Sequence, residues 1–249
     1  PKNGQDELRP NYRSGDAYGR IYRIVRKGRP LRTVPKLSER KPAELIDNLS
    51  SINGTVRDLA HRLIVESSDA SIVNELRELL NQSEFPQARL HALAALDGLG
   101  KLDAQTLGQA LTDKHPYVQR LAFRLAEKIP NKGKYLASFF DFEPVQKENG
   151  GEFKVLLQQL FTAGHFPDQK ISNLLARFIS GDFQESSFPY LKAALLSSAP
   201  THYDHLLRAS SLHGTFFEQL MRMGIKKNQA ALNKKLDSVW EKADVGDTF

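Results

Sequence analysis

The chain has 249 residues, with 35 Lys and Arg, 29 Asp and Glu, seven His and no Cys. That length can bury a core without staples. The lack of Cys excludes a disulfide framework, a cysteine zinc site, a thiol nucleophile and a covalently attached c-type haem within these residues. No stretch approaches the ~18 consecutive apolar residues that a membrane span needs, and no signal peptide is visible. The first residues, Pro1-Lys2-Asn3, lack a Met, so the sequence reads as a processed chain or a piece of a longer one.

The net charge of +6 is unevenly placed. Residues 1–43 hold 12 Lys and Arg against 4 Asp and Glu, whereas residues 44–249 hold 23 against 25. The basicity therefore belongs to an N-terminal arm, and the body is near neutral. Such an arm suits attraction to phosphate or anionic lipid, or packing on a neighbour with its Arg side chains solvated. Within it, Gly19-Arg20-Ile21-Tyr22-Arg23-Ile24-Val25 alternates apolar and basic residues and reads as one strand. Gly28, Pro30 and Pro35 then mark a linker. The expected division is an arm over 1–41 and a helical domain over 42–249.

From residue 42 onward apolar residues recur at spacings of three and four, interrupted by Gly, Pro, Asn and Asp. Four runs align: Val56–Leu63, Ala88–Leu96, Val118–Ala126 and Phe153–Leu160, with Leu191–Leu196 as a fifth. With each run's first residue as position 0, position +4 is Ala60, Ala92, Ala122 and Leu157, and position +7 is Leu63, Ala95, Leu125 and Leu160. These positions share one helix face, and a small residue there lets the neighbouring helix approach closely. Partner helices are expected over Ala43–Leu49, Ser71–Asn81, Asp103–Thr112, Lys134–Phe142 and Gln169–Ser180. A last pair, Tyr203–Ser211 with Phe216–Met223, is closed by Lys226–Lys242. Ser51, Ser83 and Asp113 stand five residues before the first three runs and suit turns or caps. Pro86 and Pro116 lie in the same turns. The pattern predicts an all-α fold, a HEAT-like α-α superhelix or solenoid of about six helix pairs, preceded by a short extended arm or strand. Such folds serve chiefly as scaffolds and binding platforms.

The stretches Gly19–Ile24, Asn53–Leu63 and Ala88–Gly100 together resemble a narrower family. The first is similar to the closing strand of a β-propeller of the soluble sugar dehydrogenase type. The others resemble the segment that follows it in the large membrane-bound dehydrogenases of planctomycetes, verrucomicrobia and related bacteria. The resemblance covers residues 15–130 and departs at Thr55-Val56, where that family often carries aromatic residues. It implies a HEAT region following a quinoprotein-like propeller, in an exported, periplasmic or membrane-associated protein. It also implies that the quinone (PQQ) site and any haem c belong to domains outside these residues. No catalytic, cofactor or metal residue is carried over, and this chain is expected to be non-catalytic. Its partner would be its own propeller or a redox protein. Two other readings stay open: a nucleic-acid-binding solenoid, favoured by the basic total charge but opposed by the near-neutral body, and a general protein-interaction scaffold.

Candidate binding residues are few. Arg57 and Arg89 share position +1; Gln119 takes that place in the third run, with Arg120 beside it. Arg57, Arg89 and Arg120 are thus candidate partner-binding residues. The alternative is a ladder bridging neighbouring repeats, paired with Asp58, Asp97 or Asp113. His202 and His205, three apart, would need further ligands to hold a metal. His61 and His91 fall at positions +5 and +3, which does not suggest a ladder. Phe139, Phe140, Phe142, Phe153 and Phe161 read as core. There is no Gly-x-Ser-x-Gly, phosphate loop, His-Glu-x-x-His or dinucleotide glycine fingerprint.

Overall fold

A computed structural model describes residues 24, 26–28, 30, 33–129, 133–142, 150–181, 189–210, 215–227 and 229–244. The chain divides into two units, Pro1–Lys36 and Leu37–Phe249. The expected strand over 19–25 lies outside the described residues, apart from the exposed Ile24. The helices belong to the second unit.

The helices are α1 (Pro42–Leu45, continued by a 3-10 turn over Ile46–Ser50), α2 (Gly54–Ser67), α3 (Val73–Gln82), α4 (Pro86–Gly98), α5 (Ala104–Leu111) and α6 (Pro116–Ala126). They continue with α7 (Gly133–Ala137), α8 (Gly151–Ala163), α9 (Gln169–Gly181), α10 (Pro189–Ala209), α11 (Thr215–Lys227) and α12 (Gln229–Asp244). Among the described residues there is no strand, and no helix is long and apolar enough to cross a membrane. Consecutive helices pack as pairs, as α3 on α4, α5 on α6 and α9 on α10. The second helices also stack on one another: α2 on α4, α4 on α6, α6 on α8 and α8 on α10. That row is the spine of an all-α helical-repeat fold.

Local chemistry starts these helices where the turns predict. Asn53 and Asp103 accept hydrogen bonds from the Thr55 and Thr106 N–H groups, which a helix leaves unpaired at its start. Pro42, Pro86 and Pro116 occupy first helical positions, where a missing N–H does no harm. Ser51, Ser83 and Asp113 sit two residues earlier than the caps. Their side chains accept from the N–H of Asn53, Phe85 and His115, at 3.2, 3.2 and 2.7 Å. They make turns rather than caps.

Burial shows the repeat register. In α4 the buried apolar positions are Ala88, Ala92, Leu93, Ala95 and Leu96; in α6 they are Val118, Ala122, Phe123, Leu125 and Ala126. These are positions 0, +4, +5, +7 and +8 in both. The same five slots in α8 are Val155, Gln159, Leu160, Thr162 and Ala163, all buried. The fourth repeat therefore starts at Val155, not at Phe153 as the apolar alignment has it. Polar Gln159 and Thr162 disguise the register because they fill slots that hold Ala or Leu elsewhere. Each is satisfied: the Asp141 N–H donates to Gln159 Oε1 at 3.2 Å, and the Thr162 hydroxyl reaches Glu127 at 2.7 Å.

Three expected elements are corrected. Lys134–Phe142 is helical only as far as Ala137. Beyond it Phe140 and Phe142 are buried while Asp141 between them is exposed. That alternation has the period of extended chain, not of a helix. Short α7 is fixed on α5 through Gly108, whose missing Cβ leaves room for the Tyr135 hydroxyl and the Phe139 ring. Phe161, expected in the core, is exposed, whereas Phe140, Phe142 and Phe153 are buried and Phe139 partly so. Finally, Leu191–Leu196 and Tyr203–Ser211 are not two helices of different pairs. They are halves of α10, which is bent: Pro200 lies inside it and His202 has non-helical angles of φ −116° and ψ 20°.

The bend has partners. Ser198 donates to the Leu160 carbonyl, Thr201 Oγ1 to Gly164 O at 2.6 Å, and His202 Nε2 lies 2.9 Å from Ala163 O. The carbonyls that the end of α8 leaves unpaired are thus closed by side chains of α10. His202 Nδ1 is 2.8 Å from the Ser172 hydroxyl of α9, and the residue is 2% exposed. Burial pushes the His202 imidazole below its ordinary pKa; the Ala163 carbonyl and Asp168 pull upward, and nearby His205 pushes down. Burial wins over the favourable helix end. The unfolded imidazole titrates near pH ~6.5 and the folded one lower. The His202 contribution is therefore full above about pH 6.5 and is lost as pH falls through the folded pKa. His91 adds a second such loss, since burial and then His61 lower it too. Thermal melts between pH 7.5 and 5 should show a falling Tm, and His202→Gln should flatten part of that slope. Parallel profiles for both proteins would contradict this.

Candidate interaction surface

The three candidate arginines fare differently. Arg57 Nη1 donates to Ser51 O at 2.6 Å, Arg89 Nη1 to Ser83 O at 2.8 Å, and Gln119 Nε2 to Asp113 O at 2.7 Å. Position +1 of each repeat thus reaches back six residues and holds the turn that precedes its own helix. Arg89 also grips the next turn, donating from Nε and Nη2 to both Asp113 oxygens at 2.7 and 2.8 Å. The Arg89 and Asp113 side chains are 4% and 9% exposed. Burial pushes the Asp113 carboxyl up, but Arg89 and the His115 N–H outweigh it and hold it below the ordinary range. Arg89 is raised, chiefly by its hydrogen bonds to Asp113. Asp97 pairs instead with Lys128 at 2.8 Å, and Asp58 lies 3.7 Å from His91. Arg120 is exposed and has no ion pair among the described residues.

The first repeat lacks the carboxylate of this clasp. Ser83 stands where Asp113 stands one repeat later, and Arg57 Nε is buried without a hydrogen-bond partner. Ser83→Asp would keep the turn, as Asp113 does, and offer Arg57 an acceptor. We expect a gain of about 1 kcal/mol, of the size of a charge-assisted hydrogen bond. Urea unfolding midpoints measure it; an unchanged or lowered midpoint would contradict it.

The histidines divide into internal roles. His61 and His91 meet after all, their rings 5.6 Å apart, because differing registers on adjacent helices α2 and α4 place them diagonally. His202 is in the α8–α10 closure, and His205 Nε2 lies 2.7 Å from Gln169 Nε2. His213 is outside the described residues. Among the described residues no group of three His, Asp or Glu could hold a metal ion.

Two depressions flank the Ser83 turn. One, of about 280 Å³, lies over the Arg89–Asp113 clasp, whose polar groups already satisfy one another. The other is an open groove of about 580 Å³ between α1 with its 3-10 extension and α3. Its first wall is the stripe Ala43, Ile46, Asp47 and Ser50; its second is Glu75, Glu78, Leu79 and Gln82. Both stripes have helical spacing. Phe85, 57% exposed, closes one end beside Glu84. The floor is apolar, and the rim carries Asp47, Glu75, Glu78 and Glu84 with no Lys, Arg or His. Glu84 is paired with Lys114 at 3.1 Å. Asp47, Glu75 and Glu78 are exposed and have no ion pair among the described residues. Exposed Ile52 and Phe85 stand in the turns before α2 and α4, and exposed Tyr117 in the first turn of α6. Tyr117 is partly covered by Lys154, 5.6 Å above its ring.

Sequence reasoning passed over this groove. Its signals were Glu75 and Glu78, three apart on one face of α3, and a large apolar Phe85 placed in a polar turn before Pro86. No family model and no curated protein matches the chain.

Proposed function

We propose that this chain is a non-catalytic, HEAT-like interaction module of a larger membrane-associated, quinoprotein-like dehydrogenase, which it docks to a protein partner. The open groove with an apolar floor carries this reading. In the Arg89–Asp113 clasp the repeat uses its polar groups on itself, whereas this surface leaves Phe85 and three carboxylates presented outward. Exposed aromatic residues amid polar rims mark binding surfaces. The same carboxylates would repel a phosphate backbone, which favours a protein over nucleic acid. The dehydrogenase assignment rests on the resemblance of residues 15–130. In that reading PQQ and haem c belong to other domains of the parent protein, and the parent is exported.

The coding region on both sides of Pro1 and Phe249 tests the assignment. Propeller-like strands upstream, a signal peptide ahead of them and Cys-x-x-Cys-His downstream are expected. A start codon directly before Pro1 with a stop after Phe249 would overturn it.

A further inference from the structure

We propose that the groove between α1 and α3 receives an amphipathic segment of a partner protein, its apolar side chains on the Ile46, Leu79 and Phe85 floor and its Lys or Arg residues against Asp47, Glu75 and Glu78. This deepens the interaction-module reading and rests on it. The walls fix the chemistry. Ala43, Ile46, Asp47 and Ser50 face Glu75, Glu78, Leu79 and Gln82, so each wall presents apolar and acidic groups together along a helical stripe. Helix-in-groove binding uses apolar anchors at spacings of three and four. A rim whose Asp47, Glu75 and Glu78 have no ion pair among the described residues selects cationic flanks and rejects anionic ones. Asp47 lies on one wall and Glu75 and Glu78 on the other, and no group of three His, Asp or Glu among the described residues could hold a metal ion, so they match a row of bases on a chain segment. Phe85 is the anchor: an exposed ring at the mouth gains most from being covered.

Fluorescence anisotropy on the 249-residue chain tests this with two labelled probes, an amphipathic Leu/Lys peptide and its Leu/Glu counterpart. The Leu/Lys peptide should bind and the Leu/Glu peptide should not. Binding should weaken with added salt, because rim charges are screened over about 10 Å at 0.1 M. Glu75→Gln with Glu78→Gln should raise Kd about tenfold, equivalent to ~1.4 kcal/mol. Asp47→Asn on the opposite wall and Phe85→Ser at the mouth should each weaken binding too. Glu75→Lys with Glu78→Lys should reverse the preference toward the Leu/Glu peptide. These side chains are exposed, so melts should stay near those of the parent chain. Equal binding of both peptides, no binding of either, or indifference to all four variants would overturn the proposal. Failure here with the expected flanking domains in the coding region would remove the groove and leave the module.

Discussion

Replacing Asp113 by alanine is expected to destabilise the chain by about 3–5 kcal/mol, enough to threaten a fold of ordinary marginal stability. The change leaves the Arg89 guanidinium buried with two of its N–H groups, Nε and Nη2, deprived of acceptors. It also removes the acceptor for the His115 N–H, which shapes the turn into α6. The pair itself contributes little net stability, because taking two charges out of water offsets most of their attraction. Arg89→Met combined with Asp113→Leu should therefore cost less than Asp113→Ala alone. Denaturant unfolding of Asp113→Ala, of Arg89→Met and Asp113→Leu singly, and of the double variant measures this. A double variant as unstable as the sum of the singles would contradict the ion-pair account. The clasp joins the second repeat to the third, so hydrogen exchange in Asp113→Ala should speed up in α4–α6 before it does in α8–α10.

Phe140→Ala is expected to cost about 3–5 kcal/mol, the range for deleting a buried ring and leaving a cavity. Phe140 is buried with its centroid 5.3 Å from Phe123, 6.2 Å from Phe142 and 5.1 Å from Phe166; Phe142 lies 6.4 Å from Phe178. These rings come from α6, the segment after α7, the turn after α8 and α9. Phe140→Leu, which keeps most of the volume, should lose less. A loss below ~1 kcal/mol for Phe140→Ala would mean that the segment after α7 carries little of the packing at this joint.

The repeat was legible where sequence and burial use the same residues. Ala60, Ala92 and Ala122 recur at position +4 and are fully buried, as close packing of neighbouring helices requires. The legibility fades where polar side chains enter buried slots. Gln159, Thr162, Ser198 and His202 are core residues, and each binds a group 18 to 39 residues away along the chain. Local periodicity cannot see such partners, so the fourth repeat was placed two residues early and bent α10 was divided. The segment Phe139-Phe140-Asp141-Phe142 carried its own signal, an alternation of period two that the surrounding helical pattern obscured. The arginine register was visible, but the direction of each guanidinium was not. Arg57 and Arg89 turn to backbone carbonyls six residues back, and only a turn geometry shared by Ser51, Ser83 and Asp113 brings those carbonyls within reach. The groove was unread because its walls lie 32 residues apart along the chain and meet only after α3 packs.

The size of the native polypeptide tests the central claim most directly. An antibody raised on this 28.0 kDa chain, used on an extract of the source cells, should detect a single much larger polypeptide in the envelope fraction. Tryptic peptides of that band should include propeller sequence upstream of Pro1. A band at the mass of the chain itself, in the soluble fraction and without flanking peptides, would contradict a module within a larger dehydrogenase.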